Sequence, residues 1–435
     1  MIKIVNFSDL DKVLLERQSG FEAPPEVLRS VSEILEDVRS RGDAALLDYS
    51  ERFDGVRPEN LRVSQGEIDR AWENLEPELL SAIEQAAENI RAYHSRQKRS
   101  GFVVAEKDGV MLAQRVTAIG RVGIYVPGGT ASYPSTVLMD AIPAKLAGVQ
   151  RLVMCTPPAV GGTVAPAILA AAKIAGVDEV YKVGGAQAVA ALAYGTESIP
   201  KVHKIVGPGN IYVAAAKRMV YGLVDIDMIA GPSDILVIAD NGANPAFIAA
   251  DMLAQAEHDT LSRAILVTDS PGIASEVSAQ LEAQIQSLPR EAIAREAIGG
   301  GSMIILTSGL RESAEAVNLI APEHLEIMTR DPLSALGLIQ NAGSIFIGDY
   351  SAEALGDYFA GPNHTLPTMG TAKFSGPLSV DDFVKVSSIT YYSSGALTEV
   401  ADKIALFARS EDLEGHARSI EVRGEFANLD GEDAK

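Results

Sequence analysis

The chain has 435 residues, 47% of them apolar and 22% charged, enough for two or more domains with their own cores. Its net charge of −21 opposes nucleic acid and anionic membrane surfaces, and its single cysteine, Cys155, excludes an internal disulfide or a cysteine-built metal knuckle. No apolar run reaches the length of a bilayer span and the start, MIKIVNFSDLDKVLLERQ, lacks a secretory leader's apolar core, so the expected location is the cytoplasm.

An N-terminal arm, residues 1–23, leads into a region that reads mostly as helix to about residue 115. PPEVLRSVSEILEDVRSRGDAALLDYSERFDG repeats its apolar residues at helical spacing from a proline pair to Gly55. ELLSAIEQAAENIRAYHSRQKR is a second amphipathic helix, with His94 expected on its solvated end. From Arg121 the texture changes to short β-type runs, glycine-proline turns and alanine-rich helices. RVGIYV enters PGGT, RLVMC enters TPPAVGG, EVYKV enters GGAQAVAALAYG and KVHKIV enters GPGNIYVAAAKR; DILVIAD, AILVTD, MIILT and SIFIGDY form a second series. This alternation predicts two doubly wound, incomplete Rossmann-like parallel-sheet domains, with turns gathered at the carboxyl edges where such folds bind ligands. After Gly376 the tail reads as a small helical element.

Only six histidines occur, and two stand in Glu-His pairs. ANPAFIAADMLAQAEHD reads as a helix capped by Asn244 with Pro245 in its first turn, so Gln255 and His258 project from one face. Asp357 and His364 lie in ALGDYFAGPNHTLPT, and Glu411 and His416 in SEDLEGHARS. An amide oxygen, a carboxylate and two imidazoles suit zinc or manganese, although Gln255 and His258 alone read better as a surface helix end and the three pieces stand far apart in sequence. In APEHLEI, Pro322 points to a helix start that would let adjacent Glu323 and His324 share a pocket, the histidine as a base and the carboxylate as an activator of water. GPGN opens like a dinucleotide fingerprint, but Tyr212 stands where the third glycine belongs.

YVPGGTASYPSTVLM, VGGAQAVAALAYGTE, KIVGPGN, AGPSD, LAQAEHD, APEHLEI, GPNHTLPT with LSVDDFVK, and EDLEGH resemble, in this order, the segments of the histidinol dehydrogenase family. The resemblance spans most of the chain, with differences of loop length around AVGGTVAP. It implies oxidation of L-histidinol to L-histidine through the aldehyde, with two NAD and one zinc per subunit. It also implies metal ligands at Gln255, His258, Asp357 and His416, and proton chemistry at Glu323 and His324. Substrate contacts are implied at Ser233, His364 and Glu411, joined by the four metal ligands and His324, and NAD contacts at Tyr125, Gln187 and Asn210. An intertwined homodimer is implied, each tail completing the partner's site.

The domain division expected is an arm (1–23), a discontinuous metal and catalytic domain (24–124 with 234–377), an NAD domain (125–233) and a dimerisation element (378–435). A dehydrogenase of another polyol or amino alcohol is the nearest rival, but it would change the substrate contacts. A zinc hydrolase would not need the Tyr125, Gln187 and Asn210 turns, and a non-catalytic binding protein would need neither Glu323 nor His324. Cys155, ending a predicted strand, reads as a small buried hydrophobe rather than as a covalent nucleophile.

Overall fold

The computed structural model describes residues 2–10, 23–128, 132–159, 161–229 and 231–432, with side chains to residue 425. Most of the N-terminal arm, the tip of the PGGT turn and one residue each of the AVGG and AGPSD turns lie outside the described residues. Contacts divide the chain into two units: Met1–Gln97 with Ile119–Phe383, and Lys98–Ala118 with Val384–Lys435.

The described elements begin with β1 (Lys3–Asn6), α1 (Pro25–Arg41), α2 (Asp43–Asp54), α3 (Gln65–Glu73), α4 (Pro77–His94), β2 (Phe102–Val104) and β3 (Val110–Ala118). The first α/β series is β4 (Arg121–Tyr125), α5 (Pro134–Ala147), β5 (Arg151–Thr156), α6 (Pro166–Ala175), β6 (Glu179–Lys182), α7 (Gly185–Tyr194), β7 (Lys204–Val206), α8 (Ile211–Val220) and β8 (Asp225–Ile226). The second runs β9 (Asp234–Ala239), α9 (Pro245–Ala256), β10 (Arg263–Thr268), α10 (Pro271–Gln284), α11 (Glu291–Gly300), β11 (Met303–Leu306), α12 (Leu310–Ile320), β12 (His324–Met328), α13 (Pro332–Leu336), β13 (Ser344–Ile347) and α14 (Glu353–Tyr358). The chain ends with β14 (Val384–Tyr392), α15 (Ser394–Thr398), α16 (Ala401–Ser410) and α17 (Glu414–Glu432).

Both series form parallel sheets inside the first unit, one ordered β6-β5-β4-β7-β8 and the other β1-β11-β10-β9-β12-β13. In each, the first three strands of the series step one way and the fourth returns beside the first, the doubly wound pattern. Strands such as DILVIA are buried at every position because helices cover both faces. Alternate residues therefore enter different cores: Val153, Cys155 and Tyr181 pack with α1, α7 and α8, whereas Leu152, Met154 and Val180 pack with α3 to α6. The N-terminal helices, grouped by the sequence reading with residues 234–377, thus cover the five-stranded sheet. His94, expected in solvent, is fully buried, its Nδ1 2.7 Å from Gln97 Oε1.

The second unit holds an antiparallel sheet ordered β14-β3-β2, together with α15 to α17. These strands fall in stretches read as helical. Eight of the nine residues of β14 are exposed, and the apolar-polar alternation of VKVSSITYY breaks at Ser387–Ser388, so the sequence holds no sustained pattern of a half-buried strand. No helix among the described residues is long and apolar enough to cross a membrane.

Candidate active site

Glu323 and His324 stand where α12 gives way to β12. The helix stops at Ala321, whose φ of 52° is left-handed, and Pro322 cannot donate to a continued helix. The chain then enters a strand, not the expected helix start, and β12 lies between β9 and β13. A Cβ on Gly343 would come 2.5 Å from the Glu323 carbonyl oxygen, so glycine is required for the chain entering β13 to approach this closely. Glu323 and Asp234 clasp one another: the Glu323 amide donates to Asp234 Oδ1 at 2.6 Å, and the Asp234 amide donates to Glu323 Oε2 at 3.2 Å. The Ser233 hydroxyl bonds the same carboxyl, which burial pushes up to about 8 against the opposing pull of His324.

His324 is 4% exposed and lies between two carboxylates. Its Nδ1 is 3.4 Å from Glu353 Oε1 and its Nε2 3.5 Å from Asp357 Oδ1. Burial opposes the protonated ring, but the charges of Glu353 and Glu323 and the contact with Asp357 outweigh it and raise its pKa. Glu353, which the sequence reading missed, is buried at the first position of α14, one turn before Asp357. A Cβ on Gly356 would come 2.5 Å from the Phe346 ring, so this turn packs close to β13 beside the His324 imidazole. His324, Glu353 and Asp357 offer ligand atoms that all lie within 4.8 Å of one another.

Asn244 caps α9 as expected, accepting the Ala246 amide at 2.9 Å, and Pro245 comes next. The last turn of that helix carries Gln255, 1% exposed, with its Oε1 unpartnered among the described residues. His258, three residues on, lies within the electrostatic reach of Asp357 and His324, and burial holds its pKa down. His364 is held by the Asp357 carbonyl 3.0 Å from Nδ1 and by Thr136 Oγ1 3.4 Å from Nε2. Thus Ser233, Gln255, His258, Glu323, His324 and Asp357 surround the entrances to β9 and β12 and the ends of the helices that return to them. This is the amino edge of the six-stranded sheet, not the carboxyl edge the sequence reading expected for every turn.

The carboxyl edge serves the five-stranded sheet alone. Tyr125 ends β4, and its hydroxyl accepts the Gly185 amide at 3.1 Å, while burial pushes the phenol up to about 12. Gln187 lies in the first turn of α7, with its Oε1 buried and unpartnered among the described residues. Asn210 caps α8, accepting the amides of Tyr212 and Val213. Gly207 in the same turn has φ 116°, and a Cβ there would lie 2.1 Å from the Tyr125 carbonyl oxygen, so the backbone can cross this edge only as glycine. Since Thr136 comes after β4 and touches His364, this edge meets the amino edge of the six-stranded sheet around that histidine.

Glu411 and His416 are exposed residues of the second unit, flanking the turn between α16 and α17. Cys155 is fully buried, and burial raises its thiol far above neutrality. Two open clefts of about 630 and 800 Å³ lie away from all these residues, around Arg62, Arg151, Glu179 and Lys182. Their charges are already engaged, Arg151 with Glu179 and Lys182 with Glu67.

A sequence model of the histidinol dehydrogenase family matches residues 17–424. Histidinol dehydrogenase of Geobacillus kaustophilus is 56% identical over 406 residues, 93% of this chain and 95% of that protein. The Bacillus subtilis histidinol dehydrogenase is 52% identical over 424 residues, 97% of this chain and 99% of the relative. The crystal structure of histidinol dehydrogenase from Elizabethkingia anophelis superposes with a TM-score of 0.92 at 38% identity, covering 98% of this chain and 99% of that one. With matches in sequence and in fold over more than nine-tenths of its length, this chain is a member of the histidinol dehydrogenase family.

Proposed function

We propose that the chain oxidises L-histidinol to L-histidine through the aldehyde in the cytoplasm, with NAD as oxidant and one zinc per subunit. The observation that carries this reading is the buried Glu323–His324 pair, opposite the loop that presents His364 and beside the carboxyl edge bearing Tyr125, Gln187 and Asn210. The residues present fit both groups. A buried amide oxygen with no donor costs roughly 1–3 kcal/mol unless something satisfies it, and Gln255 Oε1 is such an atom, with the His258 imidazole three residues on and the Asp357 carboxylate in reach of that ring. Gln255, His258 and Asp357, with His416 supplied by a tail, would hold zinc through the oxygen and nitrogen ligands it accepts. Gln187 Oε1 is a second orphan, at the edge where Tyr125 and Asn210 would contact NAD.

Zinc, when bound, supplies a fixed template for the amine and imidazole of the substrate. NAD, when bound, accepts the hydride that leaves carbon in each oxidation. His324 takes the hydroxyl proton of histidinol in the first oxidation. The aldehyde then needs an oxygen nucleophile: Glu323 takes a proton from water as the water oxygen bonds to the carbonyl carbon, and the carbonyl oxygen takes the proton that His324 gained in the first oxidation, which gives the hydrate and restores the base. Burial suits Glu323 to this work, because a carboxyl lifted to about 8 is a far stronger base than an ordinary one. His324 takes the hydroxyl proton of the resulting hydrate as the second hydride leaves. Ser233, His364 and Glu411 would contact the substrate. The buried, protonated Cys155 is unsuited to a covalent route.

Labour is divided along the chain: residues 125–233 for NAD, 234–377 for metal and proton transfer, and the 378–435 element for completing the partner's site in a homodimer. The test is an absorbance assay for NADH with L-histidinol and NAD, on zinc-loaded and on chelator-stripped protein. Activity is expected only with zinc, while circular dichroism stays unchanged because the large cores do not depend on the metal. Zinc-loaded protein that makes no NADH from histidinol, or stripped protein with full activity, contradicts the reading.

A further inference from the structure

We infer that the buried Lys217–Asp227 ion pair is a positioning device for NAD, which fixes the GPGN turn, residues 207–210, and so sets where Asn210 stands at the carboxyl edge of the five-stranded sheet. This rests on the reading of that edge as the NAD site. Gly207 opens the turn at φ 116° against the Tyr125 carbonyl, a conformation that only glycine reaches and that glycine alone does not hold. The pair holds it from both sides. Asp227 Oδ2 accepts the Gly207 amide at 2.7 Å, and Lys217 Nζ donates to the Gly207 carbonyl at 2.9 Å. With the peptide planes before and after its α-carbon both bonded, neither φ nor ψ of Gly207 is left free.

Both ends of this clamp are themselves anchored. Lys217 lies on α8, about two turns beyond its cap Asn210, so its bond ties the body of the helix to the turn that leads into it. Asp227 follows β8, donates its own amide to the Ile205 carbonyl of β7 at 3.2 Å and accepts the Met228 amide at 2.6 Å. The turn is thereby tied to the sheet and to the helix at once. Neither side chain is more than 3% exposed. An ion pair buried this deeply is a poor source of stability, because desolvation offsets the attraction; what it supplies is a fixed geometry. Tyr125 carries that geometry to the next turn, since its carbonyl lies against Gly207 while its hydroxyl accepts the Gly185 amide, two residues before Gln187 with its unpartnered Oε1.

The test is Lys217→Met combined with Asp227→Asn, which releases the Gly207 carbonyl without stranding a charge in the interior. NADH is the probe, titrated by its fluorescence onto zinc-loaded protein. Its Kd is expected to rise about tenfold, as for the loss of one charged hydrogen bond. Zinc content should match the wild type, while kcat at saturating NAD and KM for histidinol should stay within about threefold. Lys217→Met alone is the second variant, because Asp227 there keeps both its amide donors; it should fold if the double variant does not, and should show the same rise in Kd. A folded variant with wild-type affinity for NADH overturns the proposal. Equal losses of affinity for NADH and for histidinol also overturn it, making the pair a support of the fold alone. Gln187→Ala run beside them separates the two readings. If it weakens NADH binding and the pair variants do not, the proposal alone fails; if none of them does, the reading of this edge as the NAD site fails with it.

Discussion

The Glu323 carboxyl is held in place by a backbone amide and a hydroxyl, and this decides how it can be altered. Its carboxyl accepts the Asp234 amide and bonds the Ser233 hydroxyl in a site only 5% exposed. Glu323→Gln keeps an oxygen for that amide, so the fold should survive while the base is lost. Aldehyde oxidation is expected to slow by about 100-fold or more, and alcohol oxidation by less than about tenfold, because His324 remains. Equal losses, measured separately from histidinol and from the aldehyde, would refute the separate roles. The pair itself was legible in APEHLEI, but its setting was not. Glu353 carries no signal in the sequence, since a glutamate in SAEALGDY resembles any exposed first-turn acid and meets His324 only after β12 and β13 pair.

Elements, more than single residues, bring the two sheets together here, through the loop after α14. Asn363 Nδ2 donates to the Met139 carbonyl at 2.6 Å, and the Thr365 hydroxyl donates to Asp140 Oδ1 at 2.9 Å, with His364 between them. Asp140 is fully buried, and burial, aided by the charge of Asp227, pushes it from 3.8 to about 8. Between those two values the folded chain binds a proton that the unfolded chain has lost, so stability falls as pH rises through that window. The slope for one such proton approaches about 1.4 kcal/mol per pH unit. Asp140→Asn removes the titration, so its melting temperature should rise relative to wild type as pH moves from about 6 to about 8. An unchanged difference across that range would show that Asp140 does not carry this cost. Strands such as DILVIA and RLVMC were legible as buried apolar runs between turn residues. β12 was not, because Pro322 ahead of HLEIM is as compatible with a helix start as with a strand that begins after a stopped helix. Nor could single-strand pattern show that the chain from β8 to β9 carries it from the carboxyl edge of one sheet to the amino edge of the next.

At the scale of the whole molecule, Glu411 and His416 belong to the second unit, while Gln255, His258 and Asp357 belong to the first. With each site completed by the partner's tail in a two-fold dimer, Asp357→Ala and His416→Ala should complement. A mixed dimer would hold one doubly damaged and one intact site, so random pairing after joint refolding should restore roughly a quarter of wild-type sites. Tails that serve their own subunit leave a lesion in every site and restore nothing. The central claim is that one site carries histidinol through both oxidations, and its most direct test is product counting at completion. Zinc-loaded protein given limiting L-histidinol and excess NAD should yield two NADH for each histidinol consumed, with L-histidine as the product. One NADH per histidinol with the aldehyde accumulating would contradict it.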